Sequence, residues 1–277
     1  MFLARLLVLF SLVCISCAHS SFEQKQLKHA LDFATSNRLE LEILLQHYTY
    51  DSLKLEAAKF LIRNMPHCYS YQQGGEMDSV KRVRTYYSPF GQIDQTYARR
   101  WGHYTYRNLP KIYDAHIITA EYLIDNIDRA FDNWQKRPWN RSLSFEDFCE
   151  YLLPYRIGDE PLEEWRELYE KKYGYLLDSI YKGSDVVEAA NLVSRHLQEP
   201  VFIYCEDFEL PHIGPRYLFS HRYGSCVDAA DIVTYAFRAV GIPCMEDTDA
   251  RGGHVWNVVR DTTGRDVPTV SYTHLTL

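Results

Sequence analysis

The residues Tyr223-Gly224-Ser225-Cys226-Val227-Asp228 introduce the part of the chain that decides the fold. Apolar residues follow them three and four positions apart, which predicts an amphipathic helix beginning at Cys226. Gly241 and Pro243 predict the end of this helix, because glycine favours a helix C-terminus and proline cannot continue a helix. The pattern places Cys226 in the first helical turn, where unpaired N–H groups and the helix dipole favour a thiolate.

A second element follows 28 residues after this cysteine. The alternating run Gly252-Gly253-His254-Val255-Trp256-Asn257-Val258-Val259 predicts a strand that begins near His254. A helix start and an adjacent strand can bring Cys226 and His254 within hydrogen-bond reach, the arrangement that thiol acyl transfer needs. The structural alternatives are a buried, inert cysteine and a histidine that only packs in its strand.

Three spaced elements together resemble the core of the transglutaminase-like superfamily. They are Gly224-Ser225-Cys226, then Ala236-Phe237-Arg238-Ala239-Val240-Gly241-Ile242-Pro243, then His254-Val255-Trp256. The resemblance covers residues 205 to 270 and implies an α+β protein: a helical N-terminal region followed by a papain-like core, truncated at its end. It also implies that Cys226 is the catalytic nucleophile and that His254 moves the proton. The oxyanion donor is either the Cys226 backbone N–H or a side chain from Tyr217 to Tyr223, and the sequence does not choose between them.

The same family carries an aspartate on the strand after the histidine, which completes a triad. Residues 261–264 predict the turn between these strands, with Gly264 suited to the reversal. Asp266 is a weak candidate because it comes early, and Val270, near the expected place, cannot orient an imidazole. Residues 271–277 are similar to translated adapter sequence, so we expect that the third triad member is missing by truncation.

Two classes of function remain open from the sequence. A thioester at Cys226 that is resolved by water gives a peptidase or amidase, and one resolved by an amine gives protein cross-linking, which we expect less. The alternative is an inactive fold that binds peptide or glycan, since fold does not imply function. The expected partners are a peptide, protein or glycopeptide substrate.

The first 20 residues are typical of a targeting segment. Arg5 precedes an apolar run from Leu6 to Val13 that is too short to span a bilayer. Ser16-Cys17 resembles a bacterial lipoprotein signal in which Cys17 carries the lipid; an ordinary signal peptide is the alternative. The resemblance implies a membrane-anchored protein of the bacterial cell envelope that faces the periplasm or the cell surface.

Composition excludes several classes of protein. The chain has 277 residues, of which 46% are hydrophobic, and this is globular rather than disordered or collagen-like composition. The net charge of −7 gives no pull toward nucleic acid.

The cysteines and histidines predict neither metal nor cofactor. The spacing of Cys205, His212, His221 and Cys244 matches no zinc-ligand pattern. Cys68, Cys149, Cys205 and Cys244 form either two disulfides or four isolated thiols, and we favour thiols because free cysteine is usually buried.

The sequence predicts four regions. They are a signal segment at 1–20, a helical hairpin region at 21–66, a tyrosine- and tryptophan-rich, mostly helical region at 67–200, and the core at 201–277. In the second region, Asn37 and Glu40 suggest a capping box, Asp51 suggests a cap, and Pro66 predicts a stop.

The third region combines a connection with four helices. Residues 67–110 predict a long, partly ordered connection, and helices are expected at 111–135, 144–153, 161–181 and 185–197. Its aromatic side chains are expected in the core, with a ligand groove as the alternative; they are Trp134, Trp139, Trp165, Tyr151 and Tyr155.

Overall fold

The computed structural model describes residues 21–84, 105–197, 203–204, 210–251 and 253–269. Helices and small, mainly antiparallel sheets make this an α+β chain. It divides into two compact units: unit one holds residues 1–68 and 113–121, and unit two holds 69–112 and 122–277. Cys17, Cys205 and Val270 lie outside the described residues. In the described ranges, no helix is long and apolar enough to cross a membrane.

The described part of unit one contains three α-helices, α1 (21–33), α2 (Arg38–His47) and α3 (Ser52–Asn64). Asp51 caps α3 by accepting a hydrogen bond from the Lys54 N–H at 3.1 Å, which confirms the predicted cap. The helix gives way at Met65–His67 to a 3-10 turn that contains Pro66.

The predicted capping box on α2 is wrong. The Asn37 side-chain amide makes no cap and donates instead to the carbonyl oxygens of Ala115 and Ile118, at 3.1 and 2.8 Å. Glu40 accepts from the Ala120 N–H at 2.7 Å. Both side chains therefore bind the returning segment 113–121, and this long-range contact outcompetes the local cap.

Unit two contains most of the elements. They are β1 (Tyr69–Tyr71), α4 (Gly75–Arg84), β2 (Lys111–Tyr113), α5 (Ala120–Lys136), α6 (Phe145–Tyr151), α7 (Arg166–Tyr175), α8 (Val186–Leu197), β3 (Ile203–Tyr204), α9 (Pro215–Ser220), β4 (Tyr223–Gly224), α10 (Cys226–Ala239), β5 (Cys244–Thr248), β6 (Val255–Arg260) and β7 (Asp266–Thr269). The chain changes unit within β2 and within α5. Helix α7 continues as a π-helical turn at Leu176–Ile180.

Two predicted elements differ in the structure. The connection expected at 67–110 contains strand β1 and helix α4, and the helix expected from 111 begins only at Ala120. Residues 111–113 pair with β1 as a strand instead. The β-branched run 117–119 explains the late start, because such residues lose side-chain freedom in a helix.

One hydrophobic core surrounds α10 and runs from Trp139 to Val259, so the regions predicted as 67–200 and 201–277 share it. Four of the aromatic side chains expected in the core are buried there: Trp139, Trp165, Tyr151 and Tyr155. Trp134 stacks on Phe148 with ring centroids 4.4 Å apart.

Arg166 joins α7 to the rest of this core. Its side chain is only 3% exposed and donates to the Asn126 amide oxygen and to the carbonyl oxygens of residues 152, 153, 154 and 238. A buried guanidinium needs this many acceptors because it carries five N–H donors. Arg166 thereby fixes α7 against the C-terminal part of α10, the helix that presents Cys226.

Candidate functional site

Helix α10 begins at Cys226, as predicted. Ser225 and Asp228 form a capping box: the Ser225 N–H donates to the Asp228 carboxylate at 2.7 Å, and the Ser225 hydroxyl accepts from the Asp228 N–H. Gly224 is required here, because a Cβ on it would overlap the Asp228 side chain. Cys226 is partly exposed in the first turn.

Hydrogen bonds between α10 and the sheet β5-β6-β7 fix their register. The Asn257 amide donates to the Ala230 carbonyl at 3.0 Å and to the Thr234 hydroxyl at 2.8 Å. Thr234 donates to Glu246 on β5 at 3.2 Å. Further along α10, the Arg238 side chain donates to the Cys244 carbonyl at 3.0 Å, so β5 runs opposite to α10. Strand β6 is antiparallel to β5 and therefore runs in the same direction as α10.

This register brings Cys226 and His254, the predicted catalytic residues, to the same end of the α10–β6 pair. Asn257 lies level with the turn between Ala230 and Thr234. His254 precedes Asn257 by three strand residues, about 10 Å. The middle of that turn is residue 232, and Cys226 lies six residues before it, about 9 Å along the helix axis. Both residues therefore lie where α10 and β6 begin.

The two side chains are not hydrogen-bonded to each other. The His254 ring shares a strand face with Trp256, with centroids 6.1 Å apart, whereas Asn257 faces α10. Within the described residues, the Cys226 sulfur makes no hydrogen bond to His254. Cys226 and His254 thus lie at the same end of α10 and β6, but their side chains are not hydrogen-bonded to each other.

Asp266 lies away from this end. Its carboxylate accepts from the Tyr151 hydroxyl at 2.9 and 3.1 Å and pairs with Arg260 at 3.3 Å. The sheet register aligns Asp266 with Arg260, six residues beyond His254, or about 20 Å along the strand. Asp266 therefore cannot orient the His254 ring, and the position that faces His254 falls beyond the described part of β7.

A histidine–aspartate pair, in which the aspartate is buried and the histidine is partly exposed, lies further along the same helix. The His212 Nδ1 atom is 2.9 Å from both carboxylate oxygens of Asp231, which is fully buried on α10. Burial alone lowers the pKa of His212, but the Asp231 carboxylate outweighs it and holds that pKa well above its usual value. Burial raises the pKa of the Asp231 carboxyl, although His212 opposes this.

The pair is enclosed by other acidic groups. Burial and the nearby Asp231 carboxylate raise the pKa of Glu246 well above its ordinary value. Buried Glu160 accepts the N–H groups of Ile157 and Gly158, both at 2.7 Å. A Cβ on Gly158 would overlap the His212 ring, so this turn closes directly over the imidazole.

Sequence reasoning missed this pair. It treated His212 only as a zinc candidate. Nothing local signals the pair, because His212 lies in an irregular loop and its partner is 19 residues away. The only signal was the position of Asp231 between Ala230 and Ile232, two apolar residues.

The described cysteines are free thiols: Cys68, Cys149, Cys226 and Cys244. Burial raises the pKa of Cys244 to about 12, so this thiol is inert at neutral pH. Among the described residues, no group of three or more His, Cys, Asp or Glu side chains is arranged to hold a metal ion.

No protein-family model, curated protein or solved structure matches this chain.

Proposed function

We propose that this protein is a transglutaminase-like cysteine acyl-transfer enzyme that acts on peptide or carboxamide substrates. The observation that carries the proposal is the register between α10 and β6, which puts Cys226 and His254 at one end. The dyad requires the His254 ring within hydrogen-bond reach of the Cys226 sulfur.

The proposed reaction has two steps. The Cys226 thiolate attacks the carbonyl carbon, the C–N bond breaks, and protonated His254 gives its proton to the leaving amine, which produces a thioester. Water attacks the thioester for peptidase or amidase activity, and His254 accepts its proton; the C–S bond then breaks, which releases the carboxylic acid product and restores the Cys226 thiolate beside protonated His254. An amine in place of water gives the cross-linking reaction.

The first turn of α10 suits this chemistry. The capping box uses the N–H groups of Ser225 and Asp228, and the helix itself leaves the Cys226 N–H without a partner. That N–H is the donor we assign to the oxyanion of the tetrahedral intermediate. The helix dipole favours the thiolate at the same place.

Thiol labelling tests the proposal. The rate at which iodoacetamide modifies Cys226 is measured by mass spectrometry from pH 5.5 to 9, with partly exposed Cys68 as the internal reference. Faster labelling of Cys226 at pH 6 is expected, together with a shift of its profile to higher pH in His254→Ala. His196→Ala is the matched control, because that ring bonds only to its own helix.

A Cys226 that labels no faster than Cys68, with a profile unchanged by His254→Ala, contradicts the enzyme. The second candidate, a catalytically inactive peptide- or glycan-binding protein, is then favoured. The observation that supports this second candidate is that the Cys226 thiol and the His254 ring are not joined.

The proposed location is the bacterial cell envelope, with Cys17 as the lipid-bearing residue. The Ser16-Cys17 motif after an apolar run supports it. Wild-type protein is expected in the detergent phase of a phase-separation assay, and Cys17→Ala in the aqueous phase. Wild-type protein found wholly in the aqueous phase contradicts the anchor.

A further inference from the structure

A depression of about 420 Å³ lies in unit two, away from Cys226. Its walls come from the end of α5, the segment after it and the π-helical turn. Arg137 and Trp139, which line it, donate to the carbonyl oxygens of Val240 and Gly241 at 2.8 and 2.9 Å. These carbonyls follow the last residue of α10, so the whole helix, about 20 Å long, separates the depression from Cys226.

The depression carries excess positive charge. Lys136, Arg137 and Lys182 line it together with a single acid, Asp178. The Asp178 carboxylate accepts from Lys136 and Arg137 at 2.7 and 2.8 Å. Burial raises the pKa of Asp178, but those two hydrogen bonds outweigh it and lower the pKa below its ordinary value. Asp178 is therefore ionised at neutral pH, and three cations against one anion leave a net charge of +2.

Arg137 is the central donor of this group. Its side chain is 4% exposed, with Nε bonded to Val240 and Nη1 bonded to Asp178. Within the described residues, its Nη2 atom has no hydrogen-bond partner. A buried guanidinium with an unused nitrogen is well suited to bind a carboxylate, since charge-assisted hydrogen bonds are the stronger ones.

The remaining walls are apolar. Leu177, Trp139 and Tyr181 line the same space, and the Trp139 and Tyr181 rings lie 6.1 Å apart. Gly183 packs so closely on Tyr181 that a Cβ on it would overlap the ring, which holds the tyrosine in place. Apolar walls beside a few charged donors are typical of small-molecule sites.

We propose that this depression is a binding site for small organic anions that carry a carboxylate on a ring or a short apolar body. The carboxylate binds Arg137 Nη2 and the free donors of Lys136 and Lys182, and the apolar body packs on Leu177 and Tyr181.

Three probes test the proposal by isothermal titration: benzoate, its neutral analogue benzamide, and inorganic phosphate. Benzoate is expected to bind about tenfold or more tightly than benzamide, because one charge-assisted hydrogen bond contributes about that much. Phosphate, which lacks the apolar body, is expected to bind more weakly than benzoate.

Matched variants locate the site. The double variant Lys136→Gln, Lys182→Gln removes two lining charges, whereas Lys171→Gln, Lys172→Gln removes two from the neighbouring helix α7. Benzoate affinity should fall about fivefold or more in the first and stay unchanged in the second. Gly183→Val, which displaces Tyr181, should weaken benzoate more than phosphate.

Several results overturn the proposal. They are equal binding of benzoate and benzamide, equal losses in the two double variants, phosphate binding as tight as benzoate, and no binding of any probe. The lysine variants retain the buried Arg137, so a loss of benzoate binding in them is not a loss of the fold; circular dichroism verifies this.

Discussion

The His212 Nδ1 atom lies 2.9 Å from both carboxylate oxygens of Asp231, in the interior beneath the helix that presents Cys226. Asp231 comes five residues after Cys226 on α10, and the backbone N–H of His212 donates to Asp159 at 2.9 Å. The pair therefore fastens two irregular segments, around 159 and 212, to the first half of α10. Its protonation state bears directly on the stability of the site.

The folded protein is predicted to lose stability as pH rises above about 6.5, the unperturbed histidine value. The raised pKa of His212 means that the folded state holds a proton which the unfolded chain releases. This stabilisation is complete below the unfolded pKa and is lost as pH rises through the folded one. The raised pKa values of the Asp231 and Glu246 carboxyls have the same sign, and the stability linked to them starts to fall at about pH 4, the ordinary carboxyl range.

Urea unfolding between pH 6 and 8 measures how the free energy of unfolding falls as pH rises. For one proton this fall is at most about 1.4 kcal/mol per pH unit. His212→Gln should flatten it, and His196→Gln should leave it unchanged. A wild-type free energy of unfolding that rises over this interval contradicts the assignment of a protonated His212.

Gly158→Ala is predicted to destabilise the fold by about 1 to 3 kcal/mol, because the added methyl overlaps the His212 ring. Gly174→Ala is the matched control. It lies in α7, its added Cβ meets nothing closer than 3.7 Å, and alanine favours a helix. Thermal unfolding of both variants tests this prediction. If the two variants have the same midpoint temperature of unfolding, the turn over His212 accommodates the added methyl group without loss of stability, and the prediction is wrong.

Local signals predicted the elements that depend on local chemistry. The Asp51 cap and the start of α10 at Cys226 are found as expected. The features that failed depend on partners far away in the chain. Asn37 binds a segment about 80 residues on, and Asp231 is buried by a histidine in a loop that has no periodicity. No local pattern encodes such contacts, so the chain alone did not reveal them.

Arg166→Met is predicted to cost about 3 to 5 kcal/mol of unfolding free energy, because it leaves buried carbonyl groups without donors. The comparison is Arg216→Met. Arg216 is exposed and pairs with Glu164 at 3.8 Å, a contact that contributes about 1 kcal/mol or less. Urea midpoints that fall equally in both variants contradict the role of Arg166 as the donor that fixes α7.

Asn257→Ala is predicted to loosen the connection between α10 and β6, with effects on both stability and chemistry. The amide donates to Ala230 and Thr234, while its Oδ1 atom has no partner among the described residues. Loss of the two hydrogen bonds should cost about 1 to 3 kcal/mol. Under the proposed function, the freed strand also positions His254 less well, so Cys226 labelling at pH 6 should slow toward the His254→Ala rate.

Thr234→Val separates the two effects of Asn257→Ala. It removes the two hydrogen bonds of the Thr234 hydroxyl, to Asn257 and to Glu246, and leaves the Asn257–Ala230 bond. This variant should lose stability but should retain fast labelling of Cys226, because Asn257 still joins β6 to α10. If Asn257→Ala is destabilised but labels at the wild-type rate, the amide only packs the sheet, and the register does not govern how Cys226 and His254 meet.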